Sequence, residues 1–257
     1  MALQKNEYPI LEFDDDKSAF IQPSNCIQKI DIAERCVLCF FSEAIKKLLA
    51  ANPHKTVAHL RSEGFDYPVY ELAYHGEKAA LIQAAVGAPL AAGQIEELTA
   101  LGCRKYIACG GCGVLRKDIA VGHLIIPTAA VRDEGTSYHY VKPSREIMVN
   151  ECAVQAIEDT MIKQKIPYIK AKTWTTDALY RETPERIKRR KSEGCVAVEM
   201  EAAAYIAVSQ YNNVKFGQIL YAGDNLGGDE WDSRGWNDRT EIRDLVLRLA
   251  LDACMKM

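Results

Sequence analysis

The stretch Cys195–Gln210, CVAVEMEAAAYIAVSQ, contains the pattern that decides the fold. Its apolar beginning, CVAV, predicts a short buried strand, and the alanine-rich part that follows predicts a helix. No glycine or proline separates the two, so the strand is expected to run directly into the helix. Two carboxylates, Glu199 and Glu201, stand at this junction. A strand that passes into a helix in this way is typical of a sheet with helices packed on its faces.

The same alternation continues on both sides of this stretch. Strands are predicted in KAALIQAAVGAP, RKYIAC, GHLIIPTAAV, IPYIKAKTWTT and VKFGQILYAGD, with GGCG (110–113) as the turn after RKYIAC. Helices are predicted in AAGQIEELTALG, residues 145–164, RETPERIKRRKSEG and the C-terminal RTEIRDLVLRLALDACMKM. The pattern indicates a mostly parallel or mixed sheet between helices. Because no repeat or low-complexity linker interrupts it, we expect a single domain over 1–257, with 1–20 as an extended N-terminal arm.

The composition argues against several classes of protein. The chain has 257 residues, of which 48% are hydrophobic and 26% charged, as in an ordinary globular protein with a sizeable core. A net charge of −3 offers no electrostatic attraction to nucleic acid or to an anionic membrane surface. No apolar run approaches the roughly 18 residues of a membrane span, and the polar, acidic N-terminus is unlike a signal peptide. We therefore expect a cytoplasmic protein without nucleic-acid or membrane partners.

Nine cysteines are scattered along the chain, an odd number that does not suggest a disulfide framework. The Cys-x-x-Cys pairs Cys36/Cys39 and Cys109/Cys112 are much further apart than the roughly 15–20 residues between the pairs of a zinc ribbon. Cys36 and Phe40 begin a helical spacing in AERCVLCFFSEAIKKLLA, which predicts a helix with buried cysteines. A thiol redox or zinc site at Cys109 and Cys112 stays a minor alternative, and no metal site is expected.

Three predicted strands end in unusual residues: GGCG after YIAC, VEME after CVAV, and GDN after ILYA. Ligands of α/β folds collect at the carboxyl ends of the strands. A carboxylate at a helix start is favoured by the helix dipole, so capping is one interpretation of Glu199 and Glu201. The other is that a glutamate accepts hydrogen bonds from a pair of sugar hydroxyls while Met200 packs on the sugar face.

Asp224 ends an apolar strand, where an acid is costly unless it is paired or functional. Partial burial would raise its pKa and suit it to proton donation near neutral pH. An Asx-type turn is the alternative, because Asn225 and two glycines follow closely.

Two further polar segments follow predicted strands. The segment 131–141, VRDEGTSYHYV, contains Arg132 and His139, and for His139 a site role and a structural role both stay open. The segment 173–183, TWTTDALYRET, combines aromatic and small polar residues. These residues either line a pocket for a planar ligand or lie on the surface and in the core.

These motifs together resemble one family, the nucleoside phosphorylases of the uridine phosphorylase and bacterial-type purine nucleoside phosphorylase kind. The resemblance runs from about residue 20 to the C-terminus and is strongest in 196-VAVEMEAAA-204, in AVGHLIIPTAAVRDEGTSYHY after the glycine segment, and in TTDALY. It implies a three-layer α/β sandwich with a central mixed sheet flanked by helices. It also implies phosphorolysis of a purine nucleoside or uridine to a free base and ribose 1-phosphate. Phosphate is then the co-substrate with no further cofactor, and the protein is a homo-oligomer, a dimer or a hexamer.

The resemblance also assigns roles to single residues. Met200 and Glu201 correspond to the ribose-binding pair, with Glu201 on the 2′ and 3′ hydroxyls and Glu199 beside them. Asp224 corresponds to the acid that protonates the departing base in purine-type members. The base-binding positions are Leu179 and Tyr180, and the positions that contact phosphate and ribose are Gly110 and Gly111.

The chain departs from the family where arginines usually bind phosphate. Residues 24–28, SNCIQ, replace a Gly-Asp-Pro-x-Arg motif, Ala108 stands where an arginine is expected, and a third arginine position falls near Phe65. Arg132 and Arg181 are the candidates to replace them, and we expect Arg181 to bind phosphate. Two alternatives stay open: a hydrolytic nucleosidase with water as acceptor, and a relative that binds a nucleoside without cleaving it.

Overall fold

The computed structural model describes residues 3–257, and within this range ten strands form one mixed sheet. The strand order is β10-β6-β8-β9-β5-β1-β4-β3-β2, with β7 paired to β6. The strands are β1 (Arg35–Cys39), β2 (His54–Arg61), β3 (Asp66–Tyr74), β4 (Glu77–Gln83), β5 (Lys105–Val114), β6 (Leu124–Asp133), β7 (Glu146–Met148), β8 (Tyr168–Thr176), β9 (Cys195–Glu199) and β10 (Lys215–Asn225).

Helices cover both faces of the sheet. They are α1 (Pro23–Cys26), α2 (Ser42–Ala51), α3 (Ala88–Leu101), α4 (Glu151–Lys163), α5 (Pro184–Ser192), α6 (Ala202–Tyr211) and α7 (Thr240–Met255). One core cluster joins α3 and α6 to the sheet, and a second joins α2, α4 and α7 to the opposite face. Alternate residues of β5 serve the two clusters, as Ala108 belongs to the first and Cys109 to the second. The three-layer α/β sandwich with a central mixed sheet is confirmed.

The sheet closes on itself at β5, which the sequence did not predict. The first part of β5 pairs in parallel with β1 on one side and with β10 on the other. Its last residues, Gly113 and Val114, pair instead with Val198 and Ala197 of β9 in antiparallel register. Strands β5, β10, β6, β8 and β9 therefore form a ring that encloses a small apolar core of its own. β5 thus belongs both to this ring and to the open part of the sheet.

The prediction of a turn at GGCG is wrong, because β5 continues as a strand through Val114. Gly110 pairs with Leu220, and Gly111 pairs with Tyr221 of β10. A Cβ at Gly110 would lie 2.9 Å from the ring of Phe40, so this glycine serves close packing rather than a change of chain direction.

Two other boundaries also differ from the predictions. Cys36 and Cys39 lie in strand β1, and the helix begins only at Ser42. A strand buried on both faces is apolar at every position, so a helical spacing can be found in it by coincidence. The helix predicted over 145–164 is shorter, Glu151–Lys163, and is preceded by the short strand β7.

The predicted N-terminal arm, 1–20, begins with residues 1 and 2, which lie outside the described range. Between residues 3 and 20 the chain has one short 3-10 helix, Pro9–Leu11, and no other helix or strand. Within the described part of the chain, no helix combines the length and the apolar character needed to cross a membrane.

Candidate active site

Three chain segments meet beside the glycines of β5. β9 runs antiparallel to the end of β5, with Val198 opposite Gly113. Its last residue, Glu199, therefore lies closer to the start of β5 than Gly113 does. On the other side, Ala222 of β10 pairs with Cys112, and Asn225 pairs with Val114. Burial, then the charges of Glu199 and Asp224, raise the pKa of the Cys112 thiol. The two predicted acidic motifs are therefore brought together by β5.

Glu199 is buried and its carboxylate is bonded within the protein. One oxygen accepts hydrogen bonds from the hydroxyls of Thr175 at 2.6 Å and Thr173 at 3.4 Å. The other accepts from the backbone N–H groups of Glu201 at 2.8 Å and Ala202 at 2.6 Å, at the start of α6. Burial raises the pKa of Glu199 to about 7. This geometry supports the capping interpretation for Glu199 and leaves its contact with ribose a prediction.

Glu201 is buried to a similar extent as Glu199, but its carboxyl group accepts fewer hydrogen bonds within the protein. Its Oε1 accepts a hydrogen bond of 2.6 Å from the backbone N–H of Gly87, which precedes α3 with a φ of 96°. Burial, then the charge of Glu199, raise the pKa of Glu201 to about 8. Met200 between the two glutamates is partly exposed. An almost buried carboxyl beside a partly exposed methionine is suited to receive hydroxyl donors from a sugar.

A β-bulge in β10 positions Asp224. The register shifts between Ala222 and Asn225, so that Gly223 and Asp224 lie opposite Gly113. The Oδ1 of Asp224 is 3.3 Å from the position that a Cβ of Gly113 would take, and its Oδ2 accepts a hydrogen bond of 2.7 Å from Nε1 of Trp231. The side chain that caps the following turn is Asn225, whose Oδ1 accepts from the N–H of Gly227 at 3.0 Å. The Asx-type contact thus belongs to Asn225, and Asp224 is left for another role.

Glu182 also lies near Asp224, and sequence reasoning missed it. The side chain is partly buried, and burial, then the charge of Asp224, raise its pKa to about 7. It follows the 3-10 helix Leu179–Arg181, which contains the two predicted base-binding residues. The available signal was an acid in the segment already selected for its aromatic residues.

The predicted base-binding residues lie at an open rim. Leu179 is 47% exposed and Tyr180 is 91% exposed. Arg181 in the same turn is exposed, and the structure of residues 3–257 has no hydrogen bond from its guanidinium. These three side chains therefore border the site without closing it.

The predicted phosphate-binding glycines differ in accessibility. Gly110 is buried, whereas Gly111 is exposed beside the ring of Tyr221. Both belong to strand β5, so they do not form the predicted turn. Contact of Gly110 and Gly111 with phosphate remains a prediction.

Arg132 does not replace the missing arginines. Its buried guanidinium donates hydrogen bonds to Ser137 Oγ at 2.8 Å, to Ser144 Oγ at 2.9 Å, and to the backbone carbonyls of Lys142 and Val141. Its N–H groups therefore stabilise the segment after β6. His139 in this segment is exposed.

Cys109 and Cys112 are free and buried. Three residues apart in one strand, they face opposite sides of β5 and belong to different core clusters. Two thiols that face opposite sides cannot form a disulfide with each other without movement of the backbone. Burial raises the pKa of both thiols, which keeps them protonated. They are packing residues.

A separate cleft of about 400 Å³ lies under the N-terminal segment. Its lining includes Tyr8, Arg132, Glu134 and Asp177. It contains neither Asp224 nor the glycines of β5, and we therefore do not assign the candidate chemistry to it.

Comparisons with known proteins identify the family. Residues 34–251 match the model of the phosphorylase superfamily. A guanosine phosphorylase of Halorubrum lacusprofundi is 27% identical over 206 residues, which are 76% of this chain and 83% of that protein.

Two solved structures share the fold at low sequence identity. A uridine phosphorylase of Vibrio fischeri superposes with a TM-score of 0.75 at 21% identity, over 94% of this chain and all of that one. An AMP nucleosidase of Bacteroides thetaiotaomicron superposes with a TM-score of 0.71 at 21% identity, over 89% of this chain and 90% of that one. The family model covers most of the chain and the site motifs, and the protein is a member of the phosphorylase superfamily.

Proposed function

We propose that the protein cleaves the N-glycosidic bond of a nucleoside by phosphorolysis, giving a free base and ribose 1-phosphate. The observation that carries this proposal is the placement of Glu201 and Asp224 on opposite sides of the glycine segment of β5. Membership of the phosphorylase superfamily and the likeness to a guanosine phosphorylase support it.

The two acids match the two charges of the transition state. As the bond to the base lengthens, positive charge develops on the ribose and negative charge on the base. Glu201, almost buried beside Met200, accepts hydrogen bonds from the ribose hydroxyls and gains charge-assisted contacts. Glu199 holds the start of α6 in position next to it. Asp224 delivers a proton to a ring nitrogen of the departing base.

Phosphate is the co-substrate, and no further cofactor is needed. In this proposal the exposed guanidinium of Arg181 and the backbone of Gly110 and Gly111 bind the phosphate. Leu179 and Tyr180 contact the base. An acid at the base end favours purine nucleosides, in which a ring nitrogen accepts the proton.

We further propose that the protein acts as a homo-oligomer, a dimer or a hexamer, in the cytoplasm. The exposed aromatic rim at Tyr180 is a surface that a second subunit would cover. Such a subunit could also supply cationic side chains to the phosphate, since Ala108 provides none.

Hydrolysis is the second candidate, and one specific observation favours it. The guanidinium of Arg132 donates its hydrogen bonds within its own segment. The chain therefore has fewer cationic side chains available for phosphate than the family pattern implies. The fold is shared with an AMP nucleosidase. Water would then replace phosphate as the acceptor.

One assay separates these candidates. The purified protein is incubated with a panel of nucleosides, with and without phosphate, and the sugar product is identified. Ribose 1-phosphate that forms only with phosphate supports phosphorolysis. Free ribose formed at the same rate without phosphate overturns it in favour of hydrolysis. Binding without either product assigns the protein as a nucleoside-binding relative.

A further inference from the structure

Arg243, in the first turn of α7, joins three segments of the chain. Its Nη1 donates a hydrogen bond of 2.6 Å to Oε1 of Glu43 in the first turn of α2. Its Nε donates to the hydroxyl of Tyr221 in β10 at 3.2 Å, and its Nη2 donates to the backbone carbonyl oxygen of Trp236 at 3.2 Å. The Arg243 side chain is 12% exposed. An almost buried arginine with an acceptor for each of its three nitrogens is held in one orientation.

Two aromatic rings also approach the guanidinium. Its central carbon lies 5.3 Å from the centre of the Phe41 ring and 5.9 Å from that of the Trp236 ring. The ring of Phe41 is in turn 5.7 Å from that of Tyr221, centre to centre. We call Arg243, Glu43, Phe41, Tyr221 and Trp236 the Arg243 cluster. It lies on the face of the sheet that α2 and α7 cover.

The carbonyl oxygen of Trp236 accepts two hydrogen bonds in this cluster, since the hydroxyl of Tyr221 also donates to it at 3.2 Å. Trp236 belongs to the loop 226–239, which connects β10 to α7. Residues 229–233 of this loop are exposed, so few buried contacts restrain its middle. The Arg243 cluster therefore fixes the end of the loop that is nearer to α7.

Trp236 also contacts the strand directly beside Asp224. Its Cβ lies 3.4 Å, and its Cγ 3.9 Å, from the position that a Cβ of Gly223 would take. Phenylalanine has both atoms, so this contact does not depend on the indole. Gly223 precedes Asp224 in the β-bulge, and the same loop supplies Trp231, whose Nε1 donates to Asp224 at 2.7 Å. Because a bulge sets the direction of its side chains, a residue packed on it helps to aim Asp224.

We propose that Arg243 is a positioning residue for Asp224, and that it acts through Trp236, which packs on Gly223. This inference rests on the proposed function, in which Asp224 is the acid. Such an acid must lie within hydrogen-bond reach of the ring nitrogen that it protonates. A displacement of about 1 Å can lower the rate by about 100-fold.

Arg243→Met tests the inference, because it keeps an unbranched side chain and removes the three donors. The first substrate is the purine nucleoside that the protein cleaves fastest. We expect its kcat to fall by about 10–100-fold and its KM to change by less than about threefold, because a displaced acid slows proton transfer and leaves the ribose contacts in place.

The matched substrate is the same nucleoside methylated at N7. Its base already carries a positive charge and leaves as a neutral molecule without a proton from Asp224. The kcat of Arg243→Met for this substrate should therefore stay within about threefold of the wild-type value. A change that only weakened the structure would lower both rates alike.

Arg248→Met is the matched control, since Arg248 is an exposed arginine of the same helix. Its Nε donates to the backbone carbonyl of Asp244 within α7 at 3.3 Å. This variant should cleave both substrates at the wild-type rate. If Arg243→Met does not fold, Arg243→Lys replaces it. Lysine keeps the positive charge beside Glu43 but lacks the planar fork that reaches three acceptors, so the same selective loss is expected.

Amide hydrogen exchange gives a readout that does not depend on turnover. In Arg243→Met the amides of residues 226–239 should exchange at least about tenfold faster than in the wild type, because the Trp236 carbonyl loses a charge-assisted hydrogen bond and the loop opens more often. Exchange in β5 and α6 should be unchanged, which shows that the fold is intact.

An equal loss for the two substrates, or no loss for either, overturns the positioning role, and so does unchanged exchange in residues 226–239. A wild-type protein that cleaves uridine but no purine nucleoside overturns this inference and leaves phosphorolysis intact. A wild-type protein that forms no ribose 1-phosphate from any nucleoside overturns the proposed function instead. Exchange of the loop then still decides whether Arg243 anchors it.

Discussion

Glu199 and Glu201 are almost fully buried where β9 passes into α6, whereas Asp224, across the glycine segment, is partly exposed and contacts a loop. The carboxylate of Glu199 accepts hydrogen bonds from two hydroxyls and two backbone N–H groups. Asp224 accepts one side-chain hydrogen bond, from Trp231, and that side chain is itself 63% exposed. The proposed ribose end is therefore held by a strand and a helix, and the proposed base end by a loop.

The difference means that the ribose end is preorganised, whereas the base end can adapt its shape. A buried network in which the oxygens are already bonded holds its shape before a ligand arrives, which is what stabilisation of a transition state requires. A surface loop with few buried contacts opens at little cost and can vary its shape. We therefore expect substitutions at the buried end to affect turnover and stability most strongly, and substitutions in the loop to affect them least.

Glu201→Gln should have the largest effect. The variant keeps the volume of the side chain but replaces one carboxyl oxygen by an N–H₂ donor, so the side chain can no longer ionise, as it does when pH rises through its pKa of about 8, to face the developing positive charge on the ribose. We expect kcat/KM to fall by about 100–1000-fold, the size seen when one preorganised electrostatic contact is lost. Steady-state kinetics with the best nucleoside measures it.

Glu241→Gln, an exposed acid in the first turn of α7, is the control and should retain full activity. If Glu201→Gln keeps more than about a tenth of the wild-type kcat/KM, the proposed ribose contact is wrong.

Gly113→Ala tests the strand between the two ends. A Cβ at this position would lie 2.5 Å from Cδ1 of Leu226 and 3.0 Å from Cγ1 of Val198. We expect the free energy of unfolding to drop by about 1–3 kcal/mol, because the core must shift to make room. Activity should drop as well, since Asp224 is adjacent to the new methyl group. Urea unfolding monitored by circular dichroism gives the stability change.

Gly93→Ala in α3 is the matched control, because a Cβ there meets no atom within 4 Å. This change should raise the free energy of unfolding by about 0.5–1 kcal/mol through helix propensity. Equal effects of the two alanines would contradict a packing role for Gly113.

Thr175→Val removes a donor from the buried network. The hydroxyl of Thr175 donates to Glu199 at 2.6 Å and accepts a hydrogen bond of 3.0 Å from the backbone N–H of Ala203. Its loss should lower the free energy of unfolding by about 1–3 kcal/mol, because a buried carboxylate and a buried N–H each lose a partner. Chemical denaturation measures the effect.

Thr173→Val offers a comparison within the same strand. Its hydroxyl is 3.4 Å from both Glu199 Oε1 and the carbonyl oxygen of Ala197, so its hydrogen bonds are weaker. A larger loss for Thr173→Val than for Thr175→Val would be inconsistent with the network described.

Trp231→Phe should have the smallest effect. It removes the indole N–H that donates to Asp224 but retains an aromatic ring on the loop. We expect kcat/KM to fall by about twofold to tenfold, the equivalent of one net hydrogen bond, because the acid is less well oriented. The free energy of unfolding should change by less than about 0.5 kcal/mol, as for other exposed substitutions.

Trp236→Phe is its control, since within residues 3–257 Trp236 makes hydrogen bonds through its backbone carbonyl and none through its indole nitrogen. The control should leave kcat/KM unchanged. If Trp231→Phe lost as much stability as Thr175→Val, the proposed difference in rigidity between the buried ribose end and the loop at the base end would be wrong.

Much of the fold could be predicted because its elements have local signals. The apolar strand before Asp224 and the helix that ends at Gly102 were recognised from hydrophobic pattern and glycine placement, and both are confirmed. Gly102 has a φ of 137°, a conformation that suits glycine, which explains why it stops α3. The errors at GGCG and at Cys36 have a common cause. In a strand that is buried on both faces, a glycine does not by itself indicate a turn, and an apolar run does not distinguish a strand from a helix.

The candidate site was only partly accessible from the sequence. Glu199, Met200, Glu201 and Asp224 stand out because an acid is unusual beside apolar strands. Glu182 does not, because it is far from Asp224 in the chain. Trp231 is close to Asp224 in the chain, but its hydrogen bond to this acid depends on how the loop after β10 folds back.

Local pattern and the quoted motifs were enough to recognise most strands and helices from residue 78 onward, the family, and the acids at two strand ends. Only the tertiary structure decided which acid is bonded and which is open to a ligand. Glu199 is bonded because Thr175 and the start of α6 surround it, and Asp224 is turned toward β5 by a bulge. The glycines of β5 likewise acquire their role from the side chains that pack on them, contacts between distant parts of the chain that no local pattern encodes.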